Sequence, residues 1–168
     1  MRISSLAIAG LVLGSLSLHA APLPVGSPAP QLTATDETGQ PLNFADVYAK
    51  GTTLVYFYPK AFTGGCTAEA CSLRDHYADL AGKGLQIIGV SRDDAATQAK
   101  FKDADKLPFT LVADTDGKVG QAFGLAKITP VESRESFLIK DGKVVWNSPH
   151  AQTKGSADEV TKALASLK

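Results

Sequence analysis

The chain has 168 residues, the length of one ordinary domain with a little to spare. Lys and Arg number 17 and Asp and Glu number 17, so formal charge cancels, which excludes a broad basic face for nucleic acid and an acidic disordered tail. Hydrophobic residues at 44% are enough for a buried core, while two cysteines are too few for a disulfide-stapled scaffold or an all-cysteine zinc site.

In chain order, the first segment stands apart. Arg2 is followed by no charged residue until Asp36, and Ile3 to Leu18 is apolar or small throughout. A positive start, a short apolar run and small residues at its end describe a secretory signal peptide. The apolar part, Leu6 to Leu18, is short against the roughly 20 residues of a spanning helix. Residues 1–20 are therefore expected to be a signal peptide, cleaved after Ala20 because the next bond faces Pro22. Residues 21–168 are expected to form one domain, periplasmic or secreted, with no stable membrane insertion after cleavage. Its one net negative charge would sit in an oxidising compartment where disulfides persist.

Pro22 to Pro30 reads as an extended lead-in. Leu54 to Tyr58 is a β-branched and aromatic run between Gly51 and Pro59, which predicts a strand buried on both faces. A helix is predicted from Cys66 to about Gly82, a strand over Leu85–Val90, and a helix over Asp93–Lys106 with Arg92 and Asp93 at its cap. A strand over Phe109–Ala113 and a short helix around Lys118–Phe123 follow. Asp141-Gly142 between two apolar runs predicts a hairpin, and Ser156 with Glu159 three residues on predicts a capping box opening a last helix. The class is α/β, a central mixed β-sheet flanked by helices, in the order of a thioredoxin-like fold.

The chemistry concentrates where the first buried strand meets its helix, Tyr58 to Cys71. Backbone N–H groups at a helix N-terminus lack internal partners and favour negative charge, so a thiol there is pushed toward thiolate. An ordinary thiol is only ~3% ionised at neutral pH, and a two-unit shift needs about 2.7 kcal/mol. A helix terminus supplies about 0.3–2 kcal/mol, so a cation from elsewhere is required. At 100° per residue, Cys66 falls on the stripe of Ala70, Leu73, Tyr77 and Leu80, and Cys71 lies about 140° away. On a regular helix their Cα atoms are ~8.6 Å apart, beyond the ~7 Å limit of a disulfide. A Cys66–Cys71 bond therefore requires the first turns to unwind. Two unrelated thiols or a plain structural bridge remain open at this point, since a C-x4-C pair is a weak signal. Cys66, Cys71 and His76 recur every five residues and spread around the helix, which disfavours a metal site.

Pro59-x-x-x-Thr63-x-x-Cys66, with Glu69 three residues on, resembles the active-site signature of the peroxiredoxins, thiol enzymes that reduce hydroperoxides. Cys71, five after Cys66, resembles the bacterioferritin-comigratory or peroxiredoxin Q arrangement. Gly89 to Asp93, Leu107-Pro108-Phe109 with Asp114, and Arg134 to Ile139 are similar to that family as well. The resemblance implies that Cys66 is the peroxidatic cysteine, oxidised to sulfenic acid. It implies that Thr63 offers its hydroxyl to the peroxide and to the thiolate, that Arg134 is the missing cation, that Glu69 holds Arg134, and that Pro59 shields the thiolate. Cys71 is implied to be the resolving cysteine, forming an intramolecular disulfide that an external dithiol such as a thioredoxin-like protein reduces. The expected substrates are hydrogen peroxide and organic hydroperoxides. No cofactor, metal or nucleic acid is implied, and a monomer is compatible with the cycle.

One position departs from the family pattern. Gly64 stands where Pro is usual, which removes a fixed φ and loosens the loop. His76, His150 and Lys60 read as solvated surface residues. Two other readings use the same residues. An exported thioredoxin-like thiol–disulfide oxidoreductase would normally carry Cys-x-x-Cys, which is absent. A non-enzymatic redox-responsive binding module would use the two thiols as a switch.

Overall fold

The computed structural model describes residues 21–125 and 133–167. The signal-peptide expectation for residues 1–20 falls outside the described residues. The first paired elements are a hairpin, β1 (Thr33–Asp36) and β2 (Pro41–Asn43), and a short helix, α1 (Phe44–Tyr48). Sequence pattern did not mark them, because the strands are three and four residues long and alternate only between exposed and half-buried. Local polar chemistry holds them instead. Asp36 Oδ1 accepts from the N–H groups of Thr38 and Gln40, and Asn43 Oδ1 caps α1 through Ala45 N at 3.0 Å.

The strand expected at 54–58 is β3 (Thr53–Phe57), buried at every position. The helix expected from Cys66 to Gly82 is two helices, α2 (Gly64–Asp75) and α3 (Tyr77–Gly82). His76 breaks it with φ −106° and ψ 8°. Its ring Nδ1 bonds the Ser72 carbonyl at 3.0 Å, the acceptor a continuous helix would offer to its own backbone N–H. The chain continues as β4 (Gln86–Ser91), α4 (Ala95–Ala104), β5 (Thr110–Ala113) and α5 (Lys118–Ala122). A hairpin, β6 (Glu135–Lys140) and β7 (Lys143–Ser148), and a last helix, α6 (Ser156–Ser166), complete it. Asp141 and Gly142 turn the hairpin with φ 52° and 71°, the left-handed pair that a two-residue turn demands.

Two expected caps are replaced. Asp94, not Arg92 or Asp93, caps α4 by accepting from Thr97 N at 2.7 Å. Gly155 stands at the N-cap of α6, and Ser156 is already helical. Glu159 accepts instead from Ser148 Oγ at 2.6 Å and Gln152 N at 3.0 Å, tying β7 to the loop before α6. In both places a tertiary partner outcompeted the local one.

Among the described residues the strands form one seven-stranded sheet, ordered β2-β1-β5-β4-β3-β6-β7. β3, β4 and β5 run parallel, while β6 is antiparallel to β3 and β1 to β5. The lead-in is not extended throughout: it turns at Val25-Gly26, where Ser27 N donates to Pro24 O at 3.1 Å and Gly26 takes φ 95°, and it covers the β7 edge through Gly26 N to Val144 O and Ala29 N to Gly142 O, each 2.8 Å. Alternation along β3 divides the core. Leu54 and Tyr56 face α2, α3, α4 and α6 through Leu73, Leu80, Phe101 and Val160. Val55 and Phe57 face α1 and α5 through Phe44, Val119 and Phe123. A strand covered on both faces has no solvent-facing side, so from Leu54 to Phe57 its sequence is a continuous run of apolar and aromatic residues.

Two consequences position the site. α2 begins at the carboxyl end of the parallel strands, where open α/β sheets place their crevices. Because β6 runs antiparallel to β3, Glu135 pairs with Phe57. Arg134, one residue before β6, is thereby delivered to the end of β3 from which the chain enters α2.

Candidate active site

The loop from Pro59 to Thr63 is fixed before it reaches the helix. Tyr58 N donates to Val90 O at 3.0 Å, and Ala61 N donates to Asp93 Oδ2 at 2.7 Å. Asp93 also accepts from Ser91 Oγ at 2.8 Å, so it clamps this loop to β4 instead of capping α4. Phe62 turns the chain with φ 62°, a conformation that costs an L-residue roughly 1–2 kcal/mol. Its ring is 54% exposed and stands edge-on to the buried Phe101 at 5.3 Å. Pro59 is half-buried and Lys60 is exposed.

Thr63 is the N-cap residue of α2, extended at φ −85° and ψ 147°. Its hydroxyl does not cap the helix and does not donate to Cys66 Sγ as the resemblance implied; it donates to the Lys60 carbonyl at 3.0 Å, an acceptor within its own turn. The first N–H groups of α2 thus receive no bond from that side chain and remain available to negative charge. Cys66 follows as the third helical residue and is 1% exposed.

Arg134 meets this thiol from across the sheet. Nη2 donates to Cys66 Sγ at 3.2 Å, and Nη1 donates to Glu69 Oε2. Guanidinium bonds to a sulfur anion are charge-assisted and stronger than those to a neutral thiol. Glu69 is fully buried and its second oxygen, Oε1, has no protein partner. Burial pushes the Glu69 carboxyl up to about 8, against the opposing charge and hydrogen bond of Arg134. Arg134 itself is held above the usual guanidinium range; burial works against this, and Glu69 and Cys66 outweigh it. Tyr56 lies in the same buried cluster as Cys66, with a hydroxyl that has no protein partner and a phenol pushed well up by burial.

The structure therefore joins Cys66, Arg134 and Glu69 directly. Thr63 and Pro59 stand in the loop that leads into α2. Cys71 sits outside the cluster, half-buried, and both thiols are free. Burial pushes the Cys71 thiol up, with Asp105 and Asp75 adding and Arg74 opposing. His76 and His150 are exposed, as expected. Sequence reading passed over Gly65. A Cβ there would lie 3.2 Å from Arg134 Nη2 and 3.5 Å from Thr153 Cγ2, so only glycine leaves the guanidinium its full approach. A Cβ at Gly64 would meet nothing within 4 Å. The only sequence signal for the difference is the Gly-Gly pair before Cys66. Among the described residues no group of three or more His, Cys, Asp or Glu is placed to hold a metal ion.

A buried thiol at a helix N-terminus, bonded to a guanidinium that a buried carboxyl group holds, is equipped to attack an electrophile and to stabilise charge on a leaving oxygen. Comparison with known proteins points the same way. The model of the AhpC/TSA family matches residues 25–147. Peroxiredoxin Bcp of Escherichia coli K12 is 38% identical over 131 residues, covering 73% of this chain and 83% of its own. Peroxiredoxin Bcp of Bacillus subtilis is 36% identical over 152 residues, covering 86% and 94%. The crystal structure of peroxidoxin BcpB from Mycobacterium tuberculosis superimposes with a TM-score of 0.79 at 29% identity, over 86% of this chain and 97% of that one.

Proposed function

The chain belongs to the AhpC/TSA family and is a thiol peroxidase of the peroxiredoxin class, and from that premise we propose which residues carry the reaction and where it runs. The Cys66 thiolate attacks one oxygen of a hydroperoxide. An S–O bond forms as the O–O bond breaks, and the other oxygen leaves as alkoxide or hydroxide. Cys66 becomes a sulfenic acid, and the leaving oxygen takes up a proton to give alcohol or water.

The observation that carries this reading is the Arg134 Nη2 bond to Cys66 Sγ at 3.2 Å, with Glu69 on the other arm of the same guanidinium. That arm pair lets one cation serve the thiolate before attack and the leaving oxygen after it. The Thr63 hydroxyl donates its O–H to the Lys60 carbonyl, so its oxygen lone pairs are left to accept from the peroxide O–H. Pro59 limits water at the sulfur. Depth also favours this chemistry: a thiol 1% exposed is reached by a small O–O group and not by a folded protein's disulfide.

Cys71 resolves the sulfenic acid as an intramolecular disulfide, which requires the first turns of α2 to open, and a thioredoxin-like dithiol then reduces it. The substrates are hydrogen peroxide and organic hydroperoxides. Residues 1–20 act as a cleaved signal and the enzyme works in the periplasm or outside the cell; Arg2, the apolar run to Leu18 and Ala20 support this. Fractionation with mass determination of the mature N-terminus tests the address, and a retained Met1 overturns it.

One assay tests the chemistry. Reduced protein is mixed with one equivalent of hydrogen peroxide while free thiols and Trp146 fluorescence are followed. Fast loss of two thiols, abolished by Cys66→Ser and arrested at sulfenic acid by Cys71→Ser, is expected. Thiol loss no faster than that of free cysteine overturns the assignment of Cys66.

A further inference from the structure

α2 carries an arginine that the peroxidatic site does not use. Arg74 follows Cys71 by three residues, so the two side chains share one face of the helix. Its guanidinium is held from two sides. Nη1 donates to the Asp105 carbonyl at 2.8 Å, at the C-cap of α4, and Nε and Nη2 both reach Asp75 Oδ1 at 2.8 Å. Held there, it stands beside the half-buried Cys71 thiol. The charged groups facing Cys71 are Arg74 and Asp75 on α2 and Asp105 at the end of α4. Arg74 is the cation among them.

Resolution needs an anion at Cys71, since the thiolate and not the thiol attacks sulfur. Burial and the two carboxylates work against it. We propose that Arg74 is the positioning residue of the resolving step: it keeps a positive charge at Cys71, and its bond to Asp105 holds the last turn of α2 together while the first turns unwind. The proposal rests on Cys71 being the resolver. In the step itself, Cys71 gives up its proton and its sulfur attacks the sulfenic sulfur of Cys66. The S–S bond forms as the S–O bond breaks, and the departing hydroxide takes up a proton as water. Cys71 is oxidised and the sulfenic sulfur is reduced. Arg74 is three residues from Cys71 and anchored in the turn that stays wound, so its charge remains beside the nucleophile, whereas opening of the first turn carries Cys66 away from Arg134.

Arg74→Gln and Arg74→Lys test this against the unaltered protein. Disulfide formation after one equivalent of peroxide is read by rapid quench and mass spectrometry across about pH 6 to 9. Sulfenic acid formation is expected to be unchanged in both variants. Disulfide formation in Arg74→Gln is expected to slow by about threefold to tenfold near pH 7 and to recover toward about pH 9, with Arg74→Lys retaining most of the rate. A second measurement leaves peroxide out. In a Cys66→Ser background, the pH midpoint for alkylation of Cys71 by iodoacetamide is expected to rise when Arg74 is replaced by Gln. Equal slowing at every pH, or an unmoved midpoint, overturns the role of Arg74. A disulfide-forming phase that survives Cys71→Ser overturns the assignment of the resolver instead, and the alkylation midpoint still reports on Arg74 alone.

Discussion

The two ends of α2 hold the same functional group in different surroundings. Cys66, in the first turn, is 1% exposed and touches Arg134, which lies 68 residues away in sequence. Cys71, five residues on, is half-buried, and its neighbouring cation, Arg74, comes from its own helix. The first thiol is set by the sheet: the β3–β6 register decides where Arg134 stands. The second is set by helical periodicity and by one anchor to the end of α4. A long-range cation serves its thiol only while β6 and the first turn of α2 stay docked, whereas a local one, anchored to Asp105, stays beside its thiol when that turn opens. That is the division of labour a cycle needs if Cys66 must be rigidly presented to peroxide and then released as its turn opens, while Cys71 keeps its cation throughout.

The largest effect on this contrast is expected from removing the long-range cation. Arg134→Gln should lower the second-order rate of thiol oxidation by peroxide by about 10² or more, the scale of losing one charge-stabilising donor. Stopped-flow measurement of the first phase checks it, and a loss under about threefold would mean that the helix terminus suffices.

Gly65→Ala perturbs the same contact by crowding alone. Its Cβ would press on Arg134 Nη2 at 3.2 Å, and a drop of about tenfold in the first phase is expected. Alanine in a helix is worth up to about 1 kcal/mol over glycine, so thermal stability should hold or rise while activity falls. A joint loss of both would show that the crowding damages the fold and not the site.

Glu69 links the site to stability. Its carboxyl is pushed from the usual range up to about 8 by burial, with Arg134 opposing. Between about pH 4.5 and 8 the folded chain holds a proton that the unfolded chain has released, so this group's contribution falls as pH rises. Urea midpoints at pH 5 and pH 8 should show that decline. Glu69→Gln, which cannot ionise, should flatten it; an equal decline in the variant would place its origin elsewhere.

The smallest effect is expected at Gly64. Proline suits the first position of a helix, Thr63 before it is already extended, and a Cβ there meets nothing within 4 Å. Gly64→Pro should therefore fold normally and stiffen the turn that must open. Disulfide formation should slow by about twofold to fivefold with the peroxide step unchanged. An unchanged resolution rate by stopped-flow would show that the opening begins beyond Gly64.

The elements with strong local signals were legible in the sequence. β3 was readable from its continuous apolar run, the β6–β7 hairpin from Asp141-Gly142, and the Cys66 face of α2 from the spacing of Ala70 and Leu73. The β1–β2 hairpin and α1 were not, because their residues are mostly exposed or half-buried and their stability comes from Asp36 and Asn43. The break at His76 escaped notice because no Gly or Pro marks it; a ring nitrogen competing for a carbonyl does. Asp93 and Glu159 were assigned to local caps, and both were taken by partners from other elements.

By itself the sequence determined what is short-range: the fold class, the thiol at a strand-to-helix junction, and two cysteines too far apart on a regular helix to bond. These follow from covalent geometry and periodicity, which every chain carries in its own order of residues. It also showed that this thiol needs a cation, and the resemblance to the peroxiredoxins pointed to Arg134. Only the tertiary structure decided that place, because the register between β3 and β6 is a property of packed strands and not of either segment. The same packing decided that a side chain at position 65 would crowd Arg134 and that Glu69 is buried with one oxygen unmet. Contacts of this kind depend on distances in space, and a distance in space is what a sequence does not contain until the core has closed.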